Sequence, residues 1–191
     1  MAEPGSGDRA ALRGADLWQA RCLLRAVRVA TLATQTGGQP FTALVTPATA
    51  PDLSVLLLLS SLSEHTRHLV AEPRCALLVA GVAEGANPQT APRLTVTGLA
   101  APEDDPALKA RWLAVHPYAA LYAGFGDFAL WRLRPVGGLF VGGFARATRL
   151  RQAELAPDPA AVAAIAAAAA DIIAHCNADH AAAMTELAGA A

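Results

Sequence analysis

Apolar residues at Leu17, Ala20, Leu24 and Val27 recur at helical spacing and predict a first helix over 16–26, with Asp16 placed to cap it. Two β-type runs follow, 27–34 (VRVATLAT) and 39–46 (QPFTALVT). Between them stands Gly37-Gly38, a pair that predicts a tight hairpin. Residues 54–60 carry five consecutive apolar side chains, Val55 to Leu59, so this strand has no side for water. A helix is expected over 62–71, stopped near Pro73, and then a buried strand over 75–82 (CALLVAGV). Residues 84–92, with Gly85, Asn87 and two prolines, read as a loop. The run 93–99 (RLTVTGL) alternates, with Leu94 and Val96 on one face and Arg93, Thr95 and Thr97 on the other. An amphipathic helix is expected over 106–115 and a short one over 118–122. Two more strands, 127–134 and 138–144, flank a turn at Pro135-Val136-Gly137-Gly138. The chain closes with a helix over 159–174, the polar run 175–180 (HCNADH) and a short helical tail.

Seven strands joined mostly by short connections predict a mainly β, α+β fold, an antiparallel barrel of about six to seven strands decorated with helices. Regular βαβ alternation is missing, and no GxGxxG or P-loop follows a strand, which argues against a nucleotide-binding parallel sheet. The expected organisation is a flexible segment over 1–14, one domain over 15–150 and a helical segment over 151–191. With 191 residues, 54% hydrophobic and 16% charged, the chain can bury a proper core. Fifteen basic residues against sixteen acidic ones leave no basic excess, so nucleic acid is not an expected partner. Cys22, Cys75 and Cys176 show no CxxC or zinc spacing, which predicts buried, reduced thiols in a cytoplasmic protein and no metal site. The first 14 residues have no apolar core of a signal peptide. The alanine run 160–170, closed by Asp158 and Asp171, falls short of a membrane span and reads as a soluble helix.

The chemistry concentrates at 59–68 (LSSLSEHTRH), where an apolar strand ends abruptly in hydroxyls and runs into a helix start. Ser61 and Glu64 have the spacing of a capping box. Helix N-termini present unpaired N–H groups and the positive end of the helix dipole, which suits phosphate. Ser60, Ser61, Ser63, Thr66 and Arg67 would add hydroxyl and guanidinium donors; an ordinary capped helix explains the same pattern.

Several blocks resemble one family, the FMN-binding split barrels related to pyridoxamine 5'-phosphate oxidase, and within it the branch of heme-degrading enzymes of the HugZ type. They are RVATLAT with QPFTALVTPA, LLLLSSLSEHTRHL, PRLTVTG, HPYAALYAGFGDFALWRL and GGLFVGGFARA, in the family's order across residues 20–150. The resemblance implies a homodimer with FMN at the interface, a small-molecule substrate and no membrane. It implies that Ala43, Leu44, Val45 and Thr46 run along the flavin ring, and that Ser60, Ser61, Thr66 and Arg67 hold its phosphate. His65 would orient a serine or touch ribityl hydroxyls. Arg93 would contact the flavin or its phosphate, and Trp131 and Arg132 would help complete the site across the dimer interface, although a surface arginine and a core or interface tryptophan are the plain alternatives. His68 departs from the family, where asparagine is frequent; an imidazole can also donate a hydrogen bond.

The function these readings imply is an FMN-dependent oxidoreductase of unknown substrate, with a non-catalytic flavin- or heme-binding protein as the alternative. No serine–histidine–acid triad is arguable, as suits a protein whose cofactor carries the chemistry. His175 and His180, five apart, would diverge on a regular helix and read as a helix-terminal polar cluster. The tail is short, alanine-rich and close to the terminus, so weak heme binding at most, and no efficient heme breakdown, is expected.

Overall fold

The computed structural model describes residues 6–143 and 146–189, in two compact units, Met1–Ala156 and Pro157–Ala191. In the first unit, eight strands form one antiparallel sheet. They are β1 (Ala30–Thr36), β2 (Gln39–Val45), β3 (Ala48–Thr49), β4 (Val55–Ser60), β5 (Arg74–Ala80), β6 (Arg93–Pro102), β7 (Phe128–Val141) and β8 (Ala147–Arg151). Their order is β2-β1-β5-β6-β7-β4-β3, with β8 also on β7, an α+β arrangement of the split-barrel kind. The helices of this unit are α1 (Ser6–Ala26), α2 (Glu64–Ala71), α3 (Pro106–Val115) and α4 (Gln152–Leu155).

The β1–β2 hairpin forms as the glycine pair dictates. Thr36 faces Gln39, and Gly37 and Gly38 both take positive φ, +54° and +82°, the left-handed conformations that a two-residue turn of this hand requires. Strand β4 is buried along its whole length, and the structure gives the reason. Val55, Leu57 and Leu59 enter the main core with Leu32, Leu77, Val96 and Leu133. Leu56 and Leu58 face a second core under α3, built on Trp112, Ala119 and Leu130. Helix α3 starts where expected, with the Asp105 carboxylate accepting from the Ala107 N–H at 2.8 Å.

Three expectations fail locally. The turn at 135–138 does not form, because β7 runs straight through it. Pro135 has no N–H to give a ladder, and the register against β6 shifts between Thr97 and Gly98 at that point, a bulge that absorbs it. Gly98 is required there, since a Cβ would stand 2.5 Å from the Arg134 carbonyl oxygen. The strand expected at 138–144 therefore ends β7, β8 follows instead, and Phe144 lies outside the described residues.

The second failure concerns the N-terminal segment. α1 begins at Ser6, so Asp16 lies inside the helix and caps nothing. Its nearly buried carboxylate accepts from Thr148 at 2.5 Å and pairs with Arg146, fastening α1 to β8. Third, the cysteines differ in setting. Cys75 is buried, and burial lifts its thiol to about 11, while Cys22 is exposed and Cys176 half-buried.

The ends of the first unit are tied by charge. Glu154 accepts from the Arg151 side chain and N–H and from Arg13, and those donors hold its carboxyl down to about 2 from an ordinary 4.5. Such a group stabilises the fold fully above pH 4.5 and loses that contribution as pH falls through its folded value. Glu72 lies at about 2 through Arg74 and shares the sign. The melting temperature is therefore expected to hold between pH 7 and 5 and to fall between about 4.5 and 2. Glu154→Gln should remove part of that fall; an acid limb unchanged in the variant would refute the assignment.

The second unit consists of α5 (Pro159–Asp179) and α6 (Ala181–Gly189). Asp158 caps α5 through the Ala161 N–H at 2.8 Å, as its position before Pro159 implies. The helix continues beyond the expected 174. With a mean hydropathy of 1.7 over an 18-residue window, it has the length and composition to cross a membrane, unlike the short apolar run expected from 160–170.

Candidate cofactor site

The end of β4 is clamped by the turn that precedes β7. Ser60 Oγ donates to Asp127 Oδ2 at 2.6 Å, and the Ser61 N–H donates to the Asp127 carbonyl at 2.8 Å. Ser60 Oγ also accepts from the Leu62 N–H at 3.1 Å, so this hydroxyl is fully engaged. Ser63 stands at the N-cap of α2 without a side-chain capping bond, and the Ser61–Glu64 box does not form. Glu64 turns along the helix instead. It accepts from Arg67 at 2.5 Å and from His68 at 3.2 Å, residues three and four positions on and hence on its own face. Arg67, with its own hydrogen bond first, holds the Glu64 carboxyl below the usual carboxylate range.

His68 is the pin between α2 and the barrel. Its Nδ1 lies 3.1 Å from Thr34 Oγ1 on β1, and its ring meets Phe41 of β2 edge-on at 5.2 Å. A neutral imidazole with its proton on Nε2 satisfies both partners, donating to Glu64 and accepting from Thr34. Beside it, His65 is half-buried; burial first, then His68, lowers its proton affinity and favours the neutral ring near pH 7. Thr66 is buried with its Oγ1 unpaired, a hydroxyl with unused donor and acceptor capacity.

Strand β2 pairs only with β1, leaving its other backbone edge outside the ladder. Val45 is buried, Ala43 and Thr46 are half-buried, and Leu44 is 73% exposed. Helix α3 holds the chain just beyond this strand through three carbonyls. Trp112 Nε1 donates to Thr46 O at 2.9 Å, His116 Nε2 to Pro47 O at 2.9 Å and Arg111 Nε to Thr49 O at 2.6 Å. Sequence reasoning missed these positioning residues; their signal was three polar-tipped side chains within the otherwise apolar RWLAVH of one helix.

The remaining expected site residues lie elsewhere. Arg93 NH1 donates to Gln89 O at 3.0 Å and Ala91 O at 3.3 Å, closing its own loop at the end of β6 away from Leu99. Trp131, 4% exposed, sits opposite Leu57 in the main core. Arg132 donates to Ser54 Oγ at 2.7 Å and pairs with Asp52 at 2.8 Å and Glu103 at 3.1 Å, a structural network with no group left over. One mouth of the barrel thus gathers 60–67 and β2, while Arg93, Trp131 and Arg132 belong to other parts of the sheet.

The outer face of β5, β6 and β7 carries exposed Leu78, Leu99, Val136 and Leu139 beside small Ala76 and Thr97. A cleft of about 450 Å³ opens on it, bounded by Gln35 and Arg74 on one side and Val136 on the other. Arg149 and Arg151 of β8 lie exposed on a neighbouring cavity of about 240 Å³ that shares Thr97 with the cleft, Arg149 facing Leu139. The arrangement is an apolar floor with cations at its rim, suited to a flat, hydrophobic, anionic molecule or to another apolar face.

Comparison with known proteins agrees with this architecture. Residues 18–142 match the family described as Pyridoxamine 5'-phosphate oxidase, more than half of the chain. The chain is 36% identical over 149 residues to the chloroplastic heme oxygenase HOZ of Arabidopsis thaliana, a match covering 75% of this chain and 45% of that protein. The chain therefore spans less than half the length of that curated relative. Among solved structures, a heme-binding protein from Mycobacterium smegmatis superposes with a TM-score of 0.68 at 26% identity, over 94% of this chain and 71% of that one. A protein of unknown function from Agrobacterium tumefaciens superposes with a TM-score of 0.71 at 29% identity, over 82% and 66%.

Proposed function

Because this chain belongs to the pyridoxamine 5'-phosphate oxidase-related family, near its heme-binding branch, we propose that it binds heme as a homodimer. The observation that carries the reading is the apolar outer face of β5–β7 with arginines at its rim. Leu78, Leu99, Val136 and Leu139 would cover the macrocycle, and Arg149 would pair with a propionate, whereas Arg74 and Arg151 would first have to leave Glu72 and Glu154. When bound, heme would supply redox chemistry at its iron, with the protein supplying orientation and a dry surround. The expectation of weak heme binding rested on the tail histidines; this reading rests on the barrel and on the relatives. Titration of the purified chain with hemin should shift and sharpen the Soret band with saturable stoichiometry. Arg74→Ala combined with Arg149→Ala should weaken binding about 10-fold or more, the scale of losing charge-assisted hydrogen bonds. An unshifted band at tens of micromolar protein would end the reading.

FMN is the second reading, favoured by the unpaired, buried Thr66 hydroxyl at the hydroxyl-rich mouth. A phosphate there would have to take Arg67 from Glu64, an exposed pair worth only about 0–1 kcal/mol. Ser60 fits less well, since its hydroxyl already serves Asp127. Under this reading the flavin would supply electron transfer to a small-molecule substrate, and Arg67 and Thr66 would hold the phosphate. Flavin fluorescence should then be quenched on titration, and Arg67→Ala should weaken FMN about 10- to 100-fold while leaving heme binding alone.

A further inference from the structure

The second unit contains a feature that the barrel's function does not absorb. α5 ends at Asp179, and His180 leaves the helix with φ −127° and ψ 22°. That break turns the His180 ring back over the last helical turn. His175 and His180, which a continuous helix would hold apart, meet with Nε2 atoms 3.2 Å apart and rings at 84°. His175 Nδ1 lies 2.8 Å from Asp179 Oδ2, one helical turn on. The carboxylate's charge at that distance favours the tautomer with its proton on Nδ1, which carries its lone pair on Nε2, toward the His180 ring.

We propose that His175 and His180 chelate a divalent transition-metal ion of the zinc class through their Nε2 atoms, with Asp179 as the positioning residue. Two nitrogens each 2.0–2.1 Å from one tetrahedral ion lie about 3.3 Å apart, close to the spacing the unit already holds. His175 and Asp179 are each about 60% exposed, and His180 is exposed, which leaves room for water or an incoming group to complete the shell. Two imidazoles supply two of the four tetrahedral positions, and water would fill the others.

The test uses the full chain and Zn²⁺ alone, in competition with a chromogenic chelator, and Co²⁺ as a spectroscopic substitute. The wild type should bind zinc saturably and give Co²⁺ visible bands of a nitrogen-ligated site. His175→Ala and His180→Ala should each weaken binding about 100-fold, and Asp179→Asn about 10-fold, the scale of losing an orienting partner. Cys176→Ser should change nothing; a loss as large as that of the histidine variants would overturn the two-imidazole site. Equal zinc affinity in the wild type and the His175→Ala/His180→Ala double variant would overturn it as well, and would reduce the pair to a hydrogen bond between rings. Because these side chains are exposed, helicity by circular dichroism should be unchanged, separating loss of metal from loss of fold.

Discussion

Trp131→Ala is expected to destabilise the barrel by about 3–5 kcal/mol, the range for removing a large aromatic side chain from a packed core. Trp131 lies opposite Leu57 on the neighbouring strand and belongs to the cluster that includes Leu133, Val96 and Phe140. The vacated volume is enclosed by ladder-paired strands, which cannot collapse into it without breaking β4–β7 hydrogen bonds. Equilibrium denaturation, read by fluorescence of the remaining tryptophans Trp18 and Trp112, measures the loss. Were Trp131 a cofactor contact instead, the substitution would cost under about 1 kcal/mol of stability and most of the binding. That pattern would overturn the placement.

For the homodimer proposed above, Leu78→Glu combined with Leu99→Glu is expected to weaken association at least about 100-fold. Both residues stand exposed on the outer face of the sheet, on adjacent strands, near Val136 and Leu139. Four exposed apolar side chains over three neighbouring strands form a contiguous patch of a kind that monomers rarely leave uncovered. In a twofold dimer each introduced carboxylate would be buried once per protomer, so every substitution is paid for twice. Sedimentation equilibrium should show a wild-type dimer at micromolar concentration and a monomeric variant of unchanged circular dichroism. A wild type that is monomeric at tens of micromolar, or a variant that still dimerises, would remove this face as the interface. Under the heme reading, the variant should lose heme in step with its partner, because a ligand held between protomers stabilises the dimer.

Where the determinants are local, the chain could be read residue by residue. Gly37-Gly38 made the β1–β2 hairpin because two consecutive positive φ values suit glycine and few other residues. Asp105 and Asp158 capped their helices because a carboxylate there reaches an unpaired N–H within three residues. Val55 to Leu59 announced burial on both faces, since no alternation was left to face water.

Other outcomes depended on partners distant along the chain. Pro135-Val136-Gly137-Gly138 has the composition of a turn, yet β7, with Val136 as the extra residue opposite Thr97 and Gly98 of β6, runs through it as one 14-residue strand. Glu64 had two local choices, and His68, held by Thr34 and Phe41 of the first hairpin, drew it along the helix rather than back to a cap. Arg132 finds Asp52 and Glu103, 80 and 29 residues away along the chain, because the fold sets both carboxylates beside it. His175 and His180 diverge by helical arithmetic and converge only because the helix stops between them. Turns, caps and periodicities involve neighbours a few residues apart and are therefore written in the sequence. Which strands pair, and which side chains meet across 30 to 80 residues of chain, is decided by the packing that satisfies every element at once.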